Sequence, residues 1–144
     1  MLTAYIDTSA LAKCYVREPR SLEVLDWAEQ RRGTLTSALT LVEFRCLLAR
    51  RRRGGQIDSA LERGALAQFD SHVRNDAWRI HQGAFGEFAD ARDLIGTLPK
   101  LPLRSLDALH LAAARNAGAA EFATSDRTQA QAARVLGFTV FDFS

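Results

Sequence analysis

Thr3-Ala4-Tyr5-Ile6-Asp7-Thr8-Ser9-Ala10-Leu11 is the stretch that decides the fold. Thr3 to Ile6 reads as a short buried strand that ends on an acid, Asp7. From Ser9 to Val16 the pattern turns helical, and it stops before Glu18-Pro19 because the residue ahead of a proline is pushed out of the helical region. A strand that runs straight into a helix is half of a βαβ unit.

The alternation continues. A helix from about Arg20 to Arg31 closes at Gly33, and Thr34-Leu35-Thr36 is a short strand. Ala38 to Arg53 is a long helix ended by Gly54-Gly55, and Ile57 to His72 is another, with Asp58 or Gln56 near its cap. Ala77 to His81 is a strand, Ala84 to Ile95 a helix, and Pro99 and Pro102 mark a loop. Ser105 is the expected N-cap of a helix reaching Asn116, with Gly118 as its stop. Glu121 to Thr124 is a strand, Arg127 to Leu136 a helix and Phe138 to Phe141 a last strand. Short strands alternating with helices imply an α/β fold, with a mostly parallel sheet covered on both faces. No repeat, low-complexity tract or linker interrupts the 144 residues, so residues 1–144 read as a single domain.

Ligands of such sheets collect beyond the carboxyl ends of the strands. Asp7 follows the first strand, Asp126 follows the fourth, and Asp107 opens the helix before that strand. Each has an ordinary local role available, as a helix cap or as a negative charge in a first helical turn. Glu43 is harder to place so simply. At helical spacing its neighbours are Leu39, Cys46 and Leu47, with Val42 close by. A carboxylate in an apolar stripe costs about several kcal/mol unless something compensates it. Arg50, on nearly the same face, is one candidate, and a metal ion is the other. Four converging carboxylates repel one another, and they coexist only with shared protons or a cation. Magnesium and manganese are the natural guests of an all-oxygen site, and such an ion can activate water and neutralise a phosphodiester. None of the three histidines has an obvious partner, and the chemistry requires none as a base.

Composition sets the frame. At 47% hydrophobic and 25% charged, the chain has material for one core and is neither disordered nor fibrous in type. No stretch approaches the roughly 18 to 20 apolar residues of a membrane span, and Asp7 breaks any N-terminal signal-like run, so a cytoplasmic protein is expected. Cys14 and Cys46 lack metal or redox spacing and read as buried free thiols. The net charge is +2, yet 17 of the 19 basic residues are arginine, whose planar fork suits phosphate oxygens.

The residues then resemble a known family. Tyr5-Ile6-Asp7-Thr8-Ser9-Ala10-Leu11 with Tyr15-Val16-Arg17-Glu18-Pro19 resembles the opening of PIN-domain toxins of the VapC type. Thr36-Ser37-Ala38-Leu39-Thr40-Leu41-Val42-Glu43, Ser105-Leu106-Asp107-Ala108-Leu109-His110-Leu111-Ala112 and Thr124-Ser125-Asp126-Arg127 are similar to their three later acidic motifs, in the right order. The resemblance implies a PIN-like three-layer α/β/α sandwich and an endoribonuclease that uses magnesium or manganese. It also implies a cognate antitoxin protein and a homodimer. Carried over, Asp7, Glu43, Asp107 and Asp126 are the catalytic and metal-binding quartet, with Ser9 or Thr8 and Thr124 supporting it through their hydroxyls.

Arg50, Arg51, Arg52 and Arg53 suit a helix C-terminus, and they could also track RNA phosphates. Asp90 and Asp93 share a helical face and read as solvated. His110, Trp27 and Trp78 read as core residues. Leu22, Leu25, Trp27, Leu41, Phe44 and Leu48 are candidates for an antitoxin groove or dimer face. Three rivals remain. A phosphatase would want an acid where Ser9 stands. A binding module would have lost the chemistry. A housekeeping RNA-processing nuclease would keep the site without the antitoxin.

Overall fold

The computed structural model describes residues 2–144. Its centre is a five-stranded sheet in the order β3-β2-β1-β4-β5, parallel throughout. The strands are β1 (Ala4–Ile6), β2 (Thr34–Ser37), β3 (Trp78–His81), β4 (Glu121–Thr124) and β5 (Thr139–Asp142). The helices are α1 (Thr8–Leu11), α2 (Ser21–Glu29), α3 (Leu39–Arg53), α4 (Ser59–Arg74), α5 (Glu87–Thr97), α6 (Ser105–Asn116) and α7 (Arg127–Val135).

Strand alternation builds the layers. Ala4 and Ile6 of β1 point into one core with Leu11, Val24, Phe44, Leu48 and Phe69, contributed by α1 to α4. Tyr5 points the other way, into a second core with Leu94, Leu111, Ala112 and Ala133 of α5 to α7. With both faces covered, β1 is buried at every position, as a central parallel strand must be.

The chain moves outward on one side through β2 and β3, then returns to the far side of β1 for β4 and β5. The strand order therefore reverses between β1 and β4, which is where open parallel sheets form a crevice. Asp7 lies at that point, its backbone N–H bonded to Ala123 O at 3.0 Å.

Several boundaries differ from the sequence reading. The first helix is not continuous to Val16: after Leu11 the chain tightens into a 3-10 turn, Ala12–Cys14. Lys13 is thereby buried, its ammonium donating to Pro19 O and Phe143 O at 2.8 and 3.0 Å. The fifth helix starts at Glu87 rather than Ala84, because Gly86 adopts a left-handed φ of 78° immediately before it. Arg104, not Ser105, occupies the cap position of α6, and the Asp107 carboxylate accepts from the Arg104 N–H at 3.3 Å. Gly118 ends that helical segment with φ 75°, as expected. No helix among the described residues is long and apolar enough to cross a membrane.

Candidate active site

Four segments that are distant in sequence deliver their acids to one cleft of about 540 Å³. Asp7, Glu43, Asp107 and Asp126 line it together, with Thr8, Ser9, Cys46, Arg50, Arg104 and His110 among the other wall residues.

Asp7 is the deepest acid, only 4% exposed. It caps α1 through Ala10 N at 3.1 Å, but the cap does not exhaust it. Ser9 Oγ donates to Oδ1 and Thr124 Oγ1 to Oδ2, both at 2.6 Å. Burial pushes its carboxyl above the ordinary value, against the charge of His110 and these donors, which pull it down. A buried carboxylate in that condition is one that a cation would stabilise.

Glu43 sits on the flank of α3, whose buried face is Thr40, Phe44 and Leu48. It is half-buried, and its partner is not Arg50. Thr8 Oγ1 donates to Oε1 at 2.7 Å, and His110 Nε2 stands 2.5 Å from the same oxygen. Burial alone would raise the carboxyl, but His110 and Thr8 outweigh it and hold it below its ordinary value. Beneath it, Tyr5 Oη meets His110 Nδ1 at 2.7 Å, and Thr8, Thr40 and Thr36 continue a buried hydroxyl chain to Ile6 O.

The histidines therefore do have partners, contrary to the sequence reading: His110 with Glu43, His81 with Glu87, and His72 with Tyr15. His110 is a buried histidine, as expected, that also reaches the cleft. Its partners come from β1, α1 and α3 and carry no sequence-local signal. Its position three residues after Asp107, on the same helical face, was the available hint.

Asp126 caps α7, accepting from Gln129 N at 2.8 Å, while its own N–H donates to Thr124 Oγ1 at 3.0 Å. Asp107 holds the first turn of α6, with Arg104 Nε 3.6 Å from its carboxylate. Glu43, Asp107 and Asp126 each give one carboxylate oxygen to a protein donor. Their second oxygens, Oε2, Oδ1 and Oδ2, make no protein hydrogen bond among the described residues. No three His, Cys, Asp or Glu side chains among those residues already close on a single point. The four acids offer carboxylate oxygens, one pair of them deeply buried, and such oxygens suit a hard divalent cation.

The four arginines at the end of α3 separate in space. Arg50 lines the cleft, Arg51 pairs with Glu18, and Arg52 lies 3.9 Å from Glu62. Arg53 is exposed and does not line the cleft. Arg104, which the sequence reading passed over, joins Arg50 on the wall. Asp90 bonds to Asn116, and Asp93 lies beside Arg92 on the surface. Cys46 is exposed in the cleft and Cys14 partly buried, so neither is the fully buried thiol expected. Trp27, Phe44 and Leu48 belong to the core, and so leave the partner-face candidates. Leu22, Leu25 and Leu41 remain exposed. Trp78 is packed as expected, with Nε1 donating to Tyr15 Oη at 2.6 Å.

Together the layers and the cleft define a parallel α/β protein with an acidic site at the switch point of its sheet. The chain belongs to the PIN-domain family, whose model matches residues 4–135. Among curated proteins it is 33% identical over 143 residues to ribonuclease VapC46 of Mycobacterium tuberculosis, covering 97% of each chain. It is 32% identical over 144 residues to ribonuclease VapC35 of the same organism, covering 94% of this chain and 93% of that one. Solved structures share the fold. VapC20 of Mycobacterium tuberculosis, a toxin that cleaves the sarcin–ricin loop, superposes with a TM-score of 0.70 at 20% identity, over 94% of this chain and 96% of its own. FitAcB of Neisseria gonorrhoeae gives 0.69 at 17% identity, over 97% of each.

Proposed function

We propose that this protein is a magnesium- or manganese-dependent endoribonuclease and the toxin of a toxin–antitoxin pair. The observation that carries the reading is the convergence of Asp7, Glu43, Asp107 and Asp126 on one cleft at the β1–β4 crevice. The ribonuclease names of its full-length relatives support it.

In this reading Asp7, Glu43, Asp107 and Asp126 would hold the cation, to which Glu43, Asp107 and Asp126 can each offer an oxygen that no protein donor engages. A divalent ion supplies a Lewis acid that makes water nucleophilic at neutral pH and offsets phosphodiester charge. The chain's own residues do the rest. Ser9 and Thr124 fix both oxygens of Asp7, and Thr8 and His110 fix Glu43. Such orientation is set before substrate arrives, so it costs nothing during the reaction. Arg50 and Arg104, both on the cleft wall, offer guanidinium forks to RNA phosphates. Exposed Leu22, Leu25 and Leu41 are surfaces for the antitoxin or a second copy.

The test is cleavage of a mixed RNA substrate by the purified protein, with magnesium or manganese and with a chelator. Cleavage that requires the ion supports the reading. RNA binding without cleavage, with metal supplied and any bound partner removed by refolding, would replace it with a non-catalytic binding module. Cleavage by a protein encoded with no neighbouring antitoxin would favour a housekeeping nuclease.

A further inference from the structure

Asp107 lies in the first turn of α6 and Asp126 caps α7, two helices that share a core but each pack chiefly against other elements. α6 packs chiefly on α5, and α7 on β4 and β5. Gln129 joins them. Its backbone N–H donates to Asp126 Oδ1 at 2.8 Å, and its side-chain Nε2 donates to the Asp107 carbonyl at 3.1 Å. Among the described residues the second contact is the one hydrogen bond between these two helices.

The side chain is 1% exposed, and its Oε1 is buried without a partner. The carbonyl of Asp107 can only accept, so the amide orientation is fixed with Nε2 as the donor. A methionine would fill similar space without burying an unpaired oxygen. The amide therefore contributes less to packing than an apolar side chain would, and what it adds is the link between two acids.

We propose that Gln129 is a positioning residue of the acidic cleft, setting the separation of Asp107 and Asp126 across which a divalent cation is held. The proposal rests on the reading of those acids as metal ligands. It extends that reading to a residue that touches neither the cation nor RNA.

The test is calorimetric titration of manganese into the full-length, metal-free protein, beside thermal unfolding in chelator. Gln129→Met is expected to weaken manganese binding about tenfold, the usual scale for losing a group that orients a metal ligand. Its metal-free unfolding temperature should be unchanged or higher. Cleavage should fall at limiting metal and recover in excess metal. A lower unfolding temperature with unchanged manganese affinity would make Gln129 a packing residue and overturn the proposal. Asp107→Asn and Asp126→Asn separate the two claims. If they abolish binding while Gln129→Met does not weaken it, only the positioning role fails. If they too leave binding intact, the metal reading fails with it. The wild type provides an arm independent of any variant's folding. Magnesium should shift the Gln129 side-chain amide resonance with the same midpoint as the Asp107 and Asp126 backbone amides, and an unmoved resonance would also overturn the proposal.

Discussion

Thr124 Oγ1 donates to Asp7 Oδ2 at 2.6 Å, across the junction of β4 and β1 and 117 residues along the chain. The same oxygen accepts the N–H of Asp126 at 3.0 Å. One hydroxyl thus ties two acids of the cleft to each other. Thr124→Val keeps the branched shape and removes both bonds. It should cost about 1–3 kcal/mol of stability, because a buried carboxylate oxygen and an N–H lose partners. RNA cleavage should fall roughly 10- to 100-fold at limiting metal. Denaturant titration and a metal-dependent cleavage series measure the two effects separately.

Asp7→Asn should separate stability from function. Burial raises the Asp7 carboxyl in the fold above its ordinary 3.8, so the folded protein binds the proton more tightly than the unfolded chain. Stability from that group is full below the ordinary value and is lost as pH rises through the folded value. In the metal-free protein burial opposes the charge that this carboxyl takes up as pH rises, and asparagine carries no such charge. Asparagine gives up one of the two hydroxyl bonds at every pH, so what should change is the trend: in chelator the variant gains stability relative to wild type as pH rises from 4 to 7, and it should not cleave RNA. A stability difference between the two proteins that stays constant from pH 4 to pH 7 would contradict this.

Glu43 behaves oppositely. His110 and Thr8 hold its carboxyl below the ordinary 4.5. Its contribution is therefore present above that value and is lost as pH falls through the lower folded value. His110→Phe removes the partner of Glu43 and leaves the buried Tyr5 hydroxyl unpaired. It should destabilise the protein by about 1–3 kcal/mol at neutral pH. The acid-side decline of stability should be shallower in the variant than in wild type, as read from denaturation midpoints between pH 6 and pH 3.

The arginines at the end of α3 should not be equivalent. Arg50 lines the cleft, whereas Arg51 is engaged by Glu18. Arg50→Ala and Arg104→Ala should each reduce the salt dependence of RNA binding by about one phosphate contact. Arg51→Ala should leave that slope in place while loosening the loop that carries Glu18. Equal slopes for all three variants and wild type would remove Arg50 and Arg104 from the RNA path.

The alternation of β1, α1 and later elements was legible because period and punctuation are local: Gly33, Gly54-Gly55 and Gly118 mark ends wherever the chain later goes. That the four acids share one cleft was legible because three lie at or near strand ends or helix starts, and Glu43 lies in a motif of recognisable spacing. What holds the acids was only partly visible. Thr8, Ser9 and Thr124 adjoin them in sequence, but the His110–Glu43 pair spans 67 residues and the Tyr5–His110 contact 105. Such pairings depend on how the layers close, which periodicity does not encode. The arginine run illustrates the limit. Four consecutive residues on a helix point in four directions, so a charge cluster in sequence became one cleft residue, two paired residues and one surface residue.

The claim that Asp7, Glu43, Asp107 and Asp126 hold one divalent site is tested most directly by anomalous diffraction from crystals grown with manganese. The account predicts a peak in the cleft with carboxylate oxygens of this quartet at about 2.1 Å, the distance of a small hard cation, and no peak there in Asp7→Asn. Saturating manganese with no density in the cleft, in a protein that still cleaves RNA, would contradict it.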